Sequence, residues 1–230
     1  MKLCIVSGGK HSRLQSHLNH QAYALRHSYD FHHDLTPYPP PLIGPTISGS
    51  YFKLQAVENV LHRYEWVFWL DDDAFFTDFD RPIANFLLNL APSIFFLVCK
   101  SPINPRKQNP FLNSGAFFIR NCTEGFAFLQ EVQRTRVGIV RSWWNRDELG
   151  RFTRGDQDSI TYVLHQQNLL ACTKFCASED FNARHYHYKE ALNEHLVIHF
   201  PGKKKENTIA KFAARFGANT IFTPESKRAS

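Results

Sequence analysis

No apolar run in this 230-residue sequence is long enough to cross a membrane. The opening stretch offers only four apolar residues after Lys2 before Ser7-Gly8-Gly9, too short for the apolar core of a signal peptide. Cysteine usage is equally uninformative as a framework. Cys4, Cys99, Cys122, Cys172 and Cys176 form an odd, scattered set, which excludes a disulfide-built scaffold and suits a reducing compartment. The spacing of Cys172 and Cys176 would suit two metal ligands, but no second pair stands at zinc-site spacing, so free thiols are expected. Internal repeats are absent. Asn121-Cys122-Thr123 fits the N-glycosylation pattern and carries no weight without a secretion signal. The expected placement is therefore cytoplasmic.

What is present is a large core. Hydrophobic residues make up 43%, with 21 Phe, 8 Tyr and 4 Trp, which excludes a disordered chain. The length suits one domain spanning residues 1–230. Net charge is +6, a balance that favours an anionic partner such as a nucleotide, a phosphorylated glycan or a membrane surface.

Apolar runs alternate with helical spacing. "KLCIVS" reads as a strand ending at Gly8, and Leu14, Leu18, Ala22 and Leu25 as a helix over about 12–27. "YDFHH" is a second short strand, and the proline-rich stretch 36–45 a rigid loop. Leu54, Val57, Val60 and Leu61 mark a helix with its cap among residues 48–50. "WVFWL" is apolar throughout, as a strand covered on both faces would be. A helix is expected over Ile83–Leu90, strands at Ser93–Cys99 and Gly115–Arg120, then a helix through "EGFAFLQEVQ". A helix over Gln157–His165 and a strand at Leu196–His199 complete the plan. The class is α/β with a mainly parallel central sheet flanked by helices. A basic tail begins near residue 203. Its "TIAKFAARFGA" is amphipathic, and either packs on the domain or touches a membrane surface.

The chemistry concentrates where "WVFWL" runs into Asp71-Asp72-Asp73. Ligands in open α/β sheets bind beyond the C-terminal strand ends, so these acids sit at the binding rim. In extended backbone, Asp71 and Asp73 would point to one side and Asp72 elsewhere. Two carboxylates crowded together repel unless a cation lies between them, and oxygen ligands suit Mg²⁺ or Mn²⁺. A solvated acidic turn is the plain alternative.

"WVFWLDDDAFFTD" resembles the D-x-D block of GT-A-fold glycosyltransferases, most closely family 34, the galactosyl-, xylosyl- and mannosyltransferases. "YALRHSYDF" resembles the block ending His-Gly-Tyr-Asp, with Ser28 in place of Gly. "YFKLQAV" resembles the Trp-x-Lys segment, with Tyr51 in place of Trp. "LNSGAFFIRN", "GDQDSI" and "HFPGK" resemble the later blocks, in the same order. Two features depart from that family. Gly202 is followed by three lysines, closer to the His-x-x-Gly-x-x-Lys of family 8, and the membrane anchor of eukaryotic family 34 members is not seen.

The resemblance implies transfer of a sugar, galactose first, from a UDP-sugar to a glycan or lipid-linked acceptor with retention. Asp71, Asp73 and His199 would hold Mn²⁺ or Mg²⁺, imidazole favouring Mn²⁺. Val6, Ser7 and Gly8 would meet the base through backbone groups, Tyr23 would lie near the base and Arg26 near a phosphate or ribose. Asp72 would take the ribose or sugar. Asn113, Ser114 and Gly115 would line the sugar pocket, with Lys53 on the donor. Gly202, Lys203 and Lys205 would cap the diphosphate. Gln157 falls near the reacting carbon. Asp158, or else Asp156, is the candidate if a covalent intermediate forms, and helix capping is the alternative for Asp156. Trp143 and Trp144 either stack on an acceptor sugar or pack internally. A GDP-mannose donor is the alternative within the class. A two-metal nucleotidyltransferase or nuclease, and a non-catalytic sugar-binding protein, are the alternatives outside it. No nucleic acid partner is expected.

Overall fold

The structure, a computed structural model, describes residues 1–9, 14–36, 49–103, 109–202 and 205–218. The expected proline-rich loop lies almost wholly outside them, and Lys203 lies outside as well. Eight strands are described: β1 (Leu3–Gly8), β2 (Asp30–Asp34), β3 (Trp66–Leu70), β4 (Ala74–Phe76), β5 (Phe96–Lys100), β6 (Leu112–Arg120), β7 (Thr173–Cys176) and β8 (Val197–His199). The helices are α1 (Ser16–Arg26), α2 (Phe52–Leu61), α3 (Thr123–Arg134), α4 (Val137–Trp143), α5 (Arg146–Leu149), α6 (Asp156–Gln166), α7 (Ser178–Phe181) and α8 (Lys205–Phe216).

Six strands form one sheet in the order β2-β1-β3-β6-β5-β7. All run parallel except β6, which is antiparallel to both β3 and β5. The reversal matters for the site. The N-terminal end of β6, with Asn113 to Gly115, meets the same rim as the C-terminal ends of β1 and β3. The α/β class with a mostly parallel sheet is as expected, and the sheet carries helices on its faces.

The period-two alternation of side chains divides each central strand between two cores. Val67, Trp69, Phe117 and Ile119 join α2, α3 and α6 on one face. Trp66, Phe68, Leu70, Ala116 and Phe118 join Tyr23, Phe76 and Phe181 on the other. Both faces are covered, which is why "WVFWL" has no polar position. A third cluster packs Phe75, Ile198 and Phe200 against Ile209, Phe212 and Ala213 of α8. The apolar stripe of the basic C-terminal helix is thus used within the domain. No helix among the described residues is long and apolar enough to cross a membrane. All five cysteines are free thiols.

Two local expectations are corrected and one is sharpened. The helix expected over Ile83–Leu90 is a 3₁₀ turn at Ile83–Leu87, preceded by Pro82 in extended backbone. The strand expected at Leu196–His199 is present at Val197–His199, outside the main sheet. It pairs antiparallel with β4, in the register Ala74↔His199 and Phe76↔Val197. The aspartates are not extended either: Ala74 N–H donates to Asp71 O (3.1 Å), closing a turn between β3 and β4.

Phe118 is fully buried, 4.3 Å from the ring centre of Phe68 and 5.4 Å from that of Phe181. Phe118→Ala removes the ring that packs β6 against Phe68 of β3 and Phe181 of α7. It is expected to lower unfolding free energy by about 3–5 kcal/mol, read by urea unfolding.

Candidate metal and donor site

The β3–β4 turn and the β4–β8 pairing build the site together. Asp71 N–H donates to Gly115 O (2.8 Å), tying the turn to the start of β6. Phe200 N–H donates to Asp73 O (2.9 Å), and His199 faces Ala74 across the pair. Residues far apart in sequence are thereby placed side by side.

Each carboxylate of the pair has one oxygen held and one left over. Asp71 Oδ1 accepts from the Trp69 indole N–H (2.7 Å) and lies 2.8 Å from Lys53 Nζ. Its Oδ2 faces His199 Nε2 at 3.9 Å. Asp73 Oδ2 accepts from Lys205 Nζ (2.7 Å). Its Oδ1 is buried and lies 3.0 Å from His199 Nε2. That separation suits an ion pair, and it also suits two neighbouring ligands of one ion. Octahedral ligands about 2.1 Å from a common ion lie about 3 Å apart. The three ligand atoms all fall within 4.8 Å of one another. An anionic oxygen pair with one imidazole nitrogen fits a divalent cation, and Mn²⁺ or Mg²⁺ suits that donor set.

Gly115 makes room for the histidine. A Cβ there would lie 2.1 Å from His199 Cε1 and 2.9 Å from Asn113 Oδ1. The glycine that precedes the buried part of β6 is therefore a clearance for the imidazole ring.

The charges are balanced locally. Lys53 is buried on α2 rather than exposed. Its ammonium reaches Asp71, Asp156 Oδ2 (3.4 Å) and Ser114 O (3.1 Å). Burial would strip its proton, but Asp156 and Asp71 outweigh burial and raise its pKa. Burial likewise works against an ionised Asp73, but His199 and Lys205 prevail and hold the carboxyl well below its usual range. At Asp72 the compensation from Lys205 and Lys53 falls short. Burial, with the charge of Asp73 beside it, pushes its carboxyl up to about 7.

Around this centre the structure assembles most of the expected residues. Ser114 Oγ donates to Asp156 Oδ2 (2.6 Å), and Asn113 Nδ2 donates to Gln157 Oε1 (3.4 Å). Ser7 and Gly8 follow the Val6↔Trp69 pair along β1, at the same rim. Val6 is fully buried, and Ser7 Oγ is buried without a hydrogen-bond partner among the described residues. Gly8 allows β2 to approach, since a Cβ would meet Asp34 O at 2.0 Å. Gly202, at φ +105°, turns the chain from β8 toward α8.

Two groups of residues fall elsewhere. Tyr23 is a core residue. Its ring stacks on Phe76 at 3.6 Å, and its hydroxyl donates to Arg81 O and accepts from Ile83 N–H, leaving no surface for a base. Arg26 pairs with Asp80 in an exposed ion pair. Neither is brought to the acid cluster. Asp158 is also spoken for. Both its oxygens accept from Thr153 and Arg154, at 2.6–2.9 Å, so the carboxylate fastens the loop before α6. Burial still raises it to about 6. The helix-capping alternative for Asp156 also fails, because Gly155 is the cap and Asp156 faces Lys53. Trp143 packs against Tyr162 and His165, and Trp144 against Phe152, with its indole N–H on Gly150 O.

Two site residues were not anticipated. Asn182 Oδ1 lies 2.8 Å from His199 Nδ1, and Arg184 Nη1 donates to the same oxygen (2.9 Å). Both sit in "FNARHY", a polar stretch with no recognisable pattern. No local signal marks them.

Comparison with known proteins agrees with this geometry. Residues 4–111, just under half of the chain, match the model of the galactosyl transferase GMA12/MNN10 family. The chain is 27% identical to probable xyloglucan 6-xylosyltransferase 5 of Arabidopsis thaliana, covering 92% of this chain and 51% of that protein. It is 26% identical to probable glycosyltransferase 3 of Oryza sativa subsp. japonica, covering 71% and 36% respectively. The chain thus spans about a third to a half of the curated relatives it matches. Among solved structures it is similar to a glycosyltransferase involved in the glycosylation of the major capsid of PBCV-1. That likeness has a TM-score of 0.66 at 16% identity, over 93% of this chain and all of the other. The fold is GT-A.

The buried Lys53 generates one prediction. Lys53→Met leaves Asp71 and Asp156 facing each other without their cation, and should lower stability by about 3–5 kcal/mol in urea unfolding. Asp73 generates a second. Its depressed pKa contributes stability that is present above the unfolded carboxyl value near 4 and is lost as pH falls below it. The stability gap between wild type and Asp73→Asn should therefore be widest above about pH 5 and narrow toward pH 2. A gap independent of pH would contradict the charge assignment.

Proposed function

We propose that this chain, a GT-A-fold glycosyltransferase of family 34 type, moves a hexose or pentose from a UDP-sugar to a hydroxyl of a glycan or lipid-linked acceptor, with retention. Galactose is the first candidate donor sugar. The observation that carries the reading is the convergence of Asp71 Oδ2, Asp73 Oδ1 and His199 Nε2 within 4.8 Å at the rim of the sheet. Asp71, Asp73 and His199 would hold Mn²⁺ or Mg²⁺. When bound, such a cation supplies Lewis-acid stabilisation of the charge that grows on the departing diphosphate.

The chain's own residues supply the rest. Lys205, the first residue of α8, lies 2.7 Å from Asp73 and is held protonated by it against the pull of burial. In this reading it takes up phosphate charge as the glycosidic bond breaks. Asn113 and Gln157 would line the sugar side, with Gly115 giving the His199 ring its clearance. Asp72, with its raised carboxyl, would hydrogen-bond donor hydroxyls in this reading. The "GDQDSI" block supports front-face attack. Asp158 has both oxygens fastened to the loop before α6, and Asp156 has its Oδ2 held by Ser114 and Lys53. Gln157 is a poor nucleophile, which leaves the departing phosphate to accept the acceptor's proton.

A two-metal nucleotidyltransferase needs further acids to bridge a second ion. Among the described residues only the Asp71–Asp73–His199 group has that character. The basic α8 and its packed apolar stripe leave a peripheral membrane contact to charge alone.

The test is a screen of UDP- and GDP-sugars for slow hydrolysis with Mn²⁺ or Mg²⁺. One UDP-sugar should be hydrolysed with Mn²⁺, and Asp73→Ala should bring the rate to background. Preference for GDP-mannose would change the donor assignment. Absence of any donor binding with either metal would overturn the transferase reading.

A further inference from the structure

The imidazole of His199 can serve the cluster only if Nε2 carries a lone pair, and the surroundings decide this. Asn182 is fully buried between two partners that cannot reverse their roles. On one side Arg184 Nη1, a donor with no acceptor capacity, lies 2.9 Å from Asn182 Oδ1. On the other, the Asn113 backbone carbonyl, an acceptor only, lies 3.2 Å from Asn182 Nδ2. The amide orientation is therefore fixed, with the oxygen toward His199. His199 Nδ1, 2.8 Å away, must donate to that oxygen. In the neutral ring the proton is then on Nδ1, and Nε2 turns its lone pair to Asp71 and Asp73.

The same amide orders the sugar side. Asn182 Nδ2 also donates to Asn113 Oδ1 (2.9 Å), which accepts from Gly115 N–H as well (3.1 Å). With its oxygen so occupied, Asn113 presents its NH₂ to Gln157 Oε1. One residue thus sets the proton position at the metal end and an amide orientation at the donor end.

We propose that Asn182 is a positioning residue, which holds His199 in the Nδ1–H tautomer and orients Asn113 toward Gln157. Its usefulness to catalysis rests on the metal reading of the Asp71–Asp73–His199 cluster; the tautomer does not. Replacing such an outer partner commonly weakens metal binding about 10- to 100-fold.

The experiment records long-range ¹⁵N–¹H correlations of the histidine rings in the metal-free protein, at about pH 8.5, above the ordinary histidine range. Mn²⁺ affinity is measured in parallel by titration calorimetry. Wild type should show His199 protonated at Nδ1 alone. Asn182→Leu should shift it to the Nε2–H form and weaken Mn²⁺ binding about 10- to 100-fold. Asn182→Asp keeps an acceptor and should restore the Nδ1–H form, which a merely structural role would not do. Asn182→Ala carries the same expectation as Leu should the larger side chain prevent folding. An Nε2–H ring in wild type, or a tautomer unchanged in Asn182→Leu and Asn182→Ala, overturns the proposal even if Mn²⁺ binds. The expected tautomer switch in a protein that binds no Mn²⁺ supports Asn182's role and overturns the metal reading.

Discussion

The pairing of β4 with β8 is the constraint on which the site depends. It is short, three residues on each side, and lies outside the main sheet. Yet its register places His199 opposite Ala74 and lets the backbone of Phe200 hold the backbone of Asp73. A slip of one residue would turn His199 to the opposite face. What prevents a slip is the packing of Phe75, Ile198 and Phe200 against α8 on one face, and of Phe76 and Val197 against the main sheet on the other. The hydrophobic effect thus fixes a polar geometry, by denying the strands any other way to bury their side chains.

Around that geometry the charges come in connected pairs. Lys53 bridges the acid of the β3–β4 turn to the acid that begins α6, so α2, β3 and α6 meet at one ammonium. Lys205 ties Asp73 to the first turn of α8. Each pair joins separate elements, and a lost partner would leave a buried charge exposed to its neighbour's field. The site and the scaffold share these contacts.

Much of this could be read in the residues beforehand. "WVFWL" is legible because a strand covered on both faces needs no polar position, and the acids that follow it could only lie at the rim. Their mutual approach was correctly expected, but from the wrong local shape. A turn brings Asp71 and Asp73 together, where an extended segment had been assumed. Tyr23 and Arg26 share a helix face, but neighbouring residues of β4 and the following loop decided where that face packs. Asp158 and Asp156 look equivalent in sequence and were separated only by which donors folding delivered to each. Ser28 stands where the resembling family has glycine, and its φ of 56° shows the left-handed backbone that glycine would adopt more easily. β4 and β7 were missed because three or four residues carry too little periodicity. Asn182 and Arg184 were missed because an orienting amide has no pattern of its own.

The half-occupied carboxylates have a consequence for ion choice. With one oxygen committed to Trp69 and Lys53, Asp71 can bind through a single atom, and Lys205 imposes the same denticity on Asp73. Calcium takes six to eight oxygens and favours carboxylates that can grip with both. A cluster built this way withholds them. Under the proposed metal reading it would disfavour the larger ion through what its hydrogen bonds have already claimed.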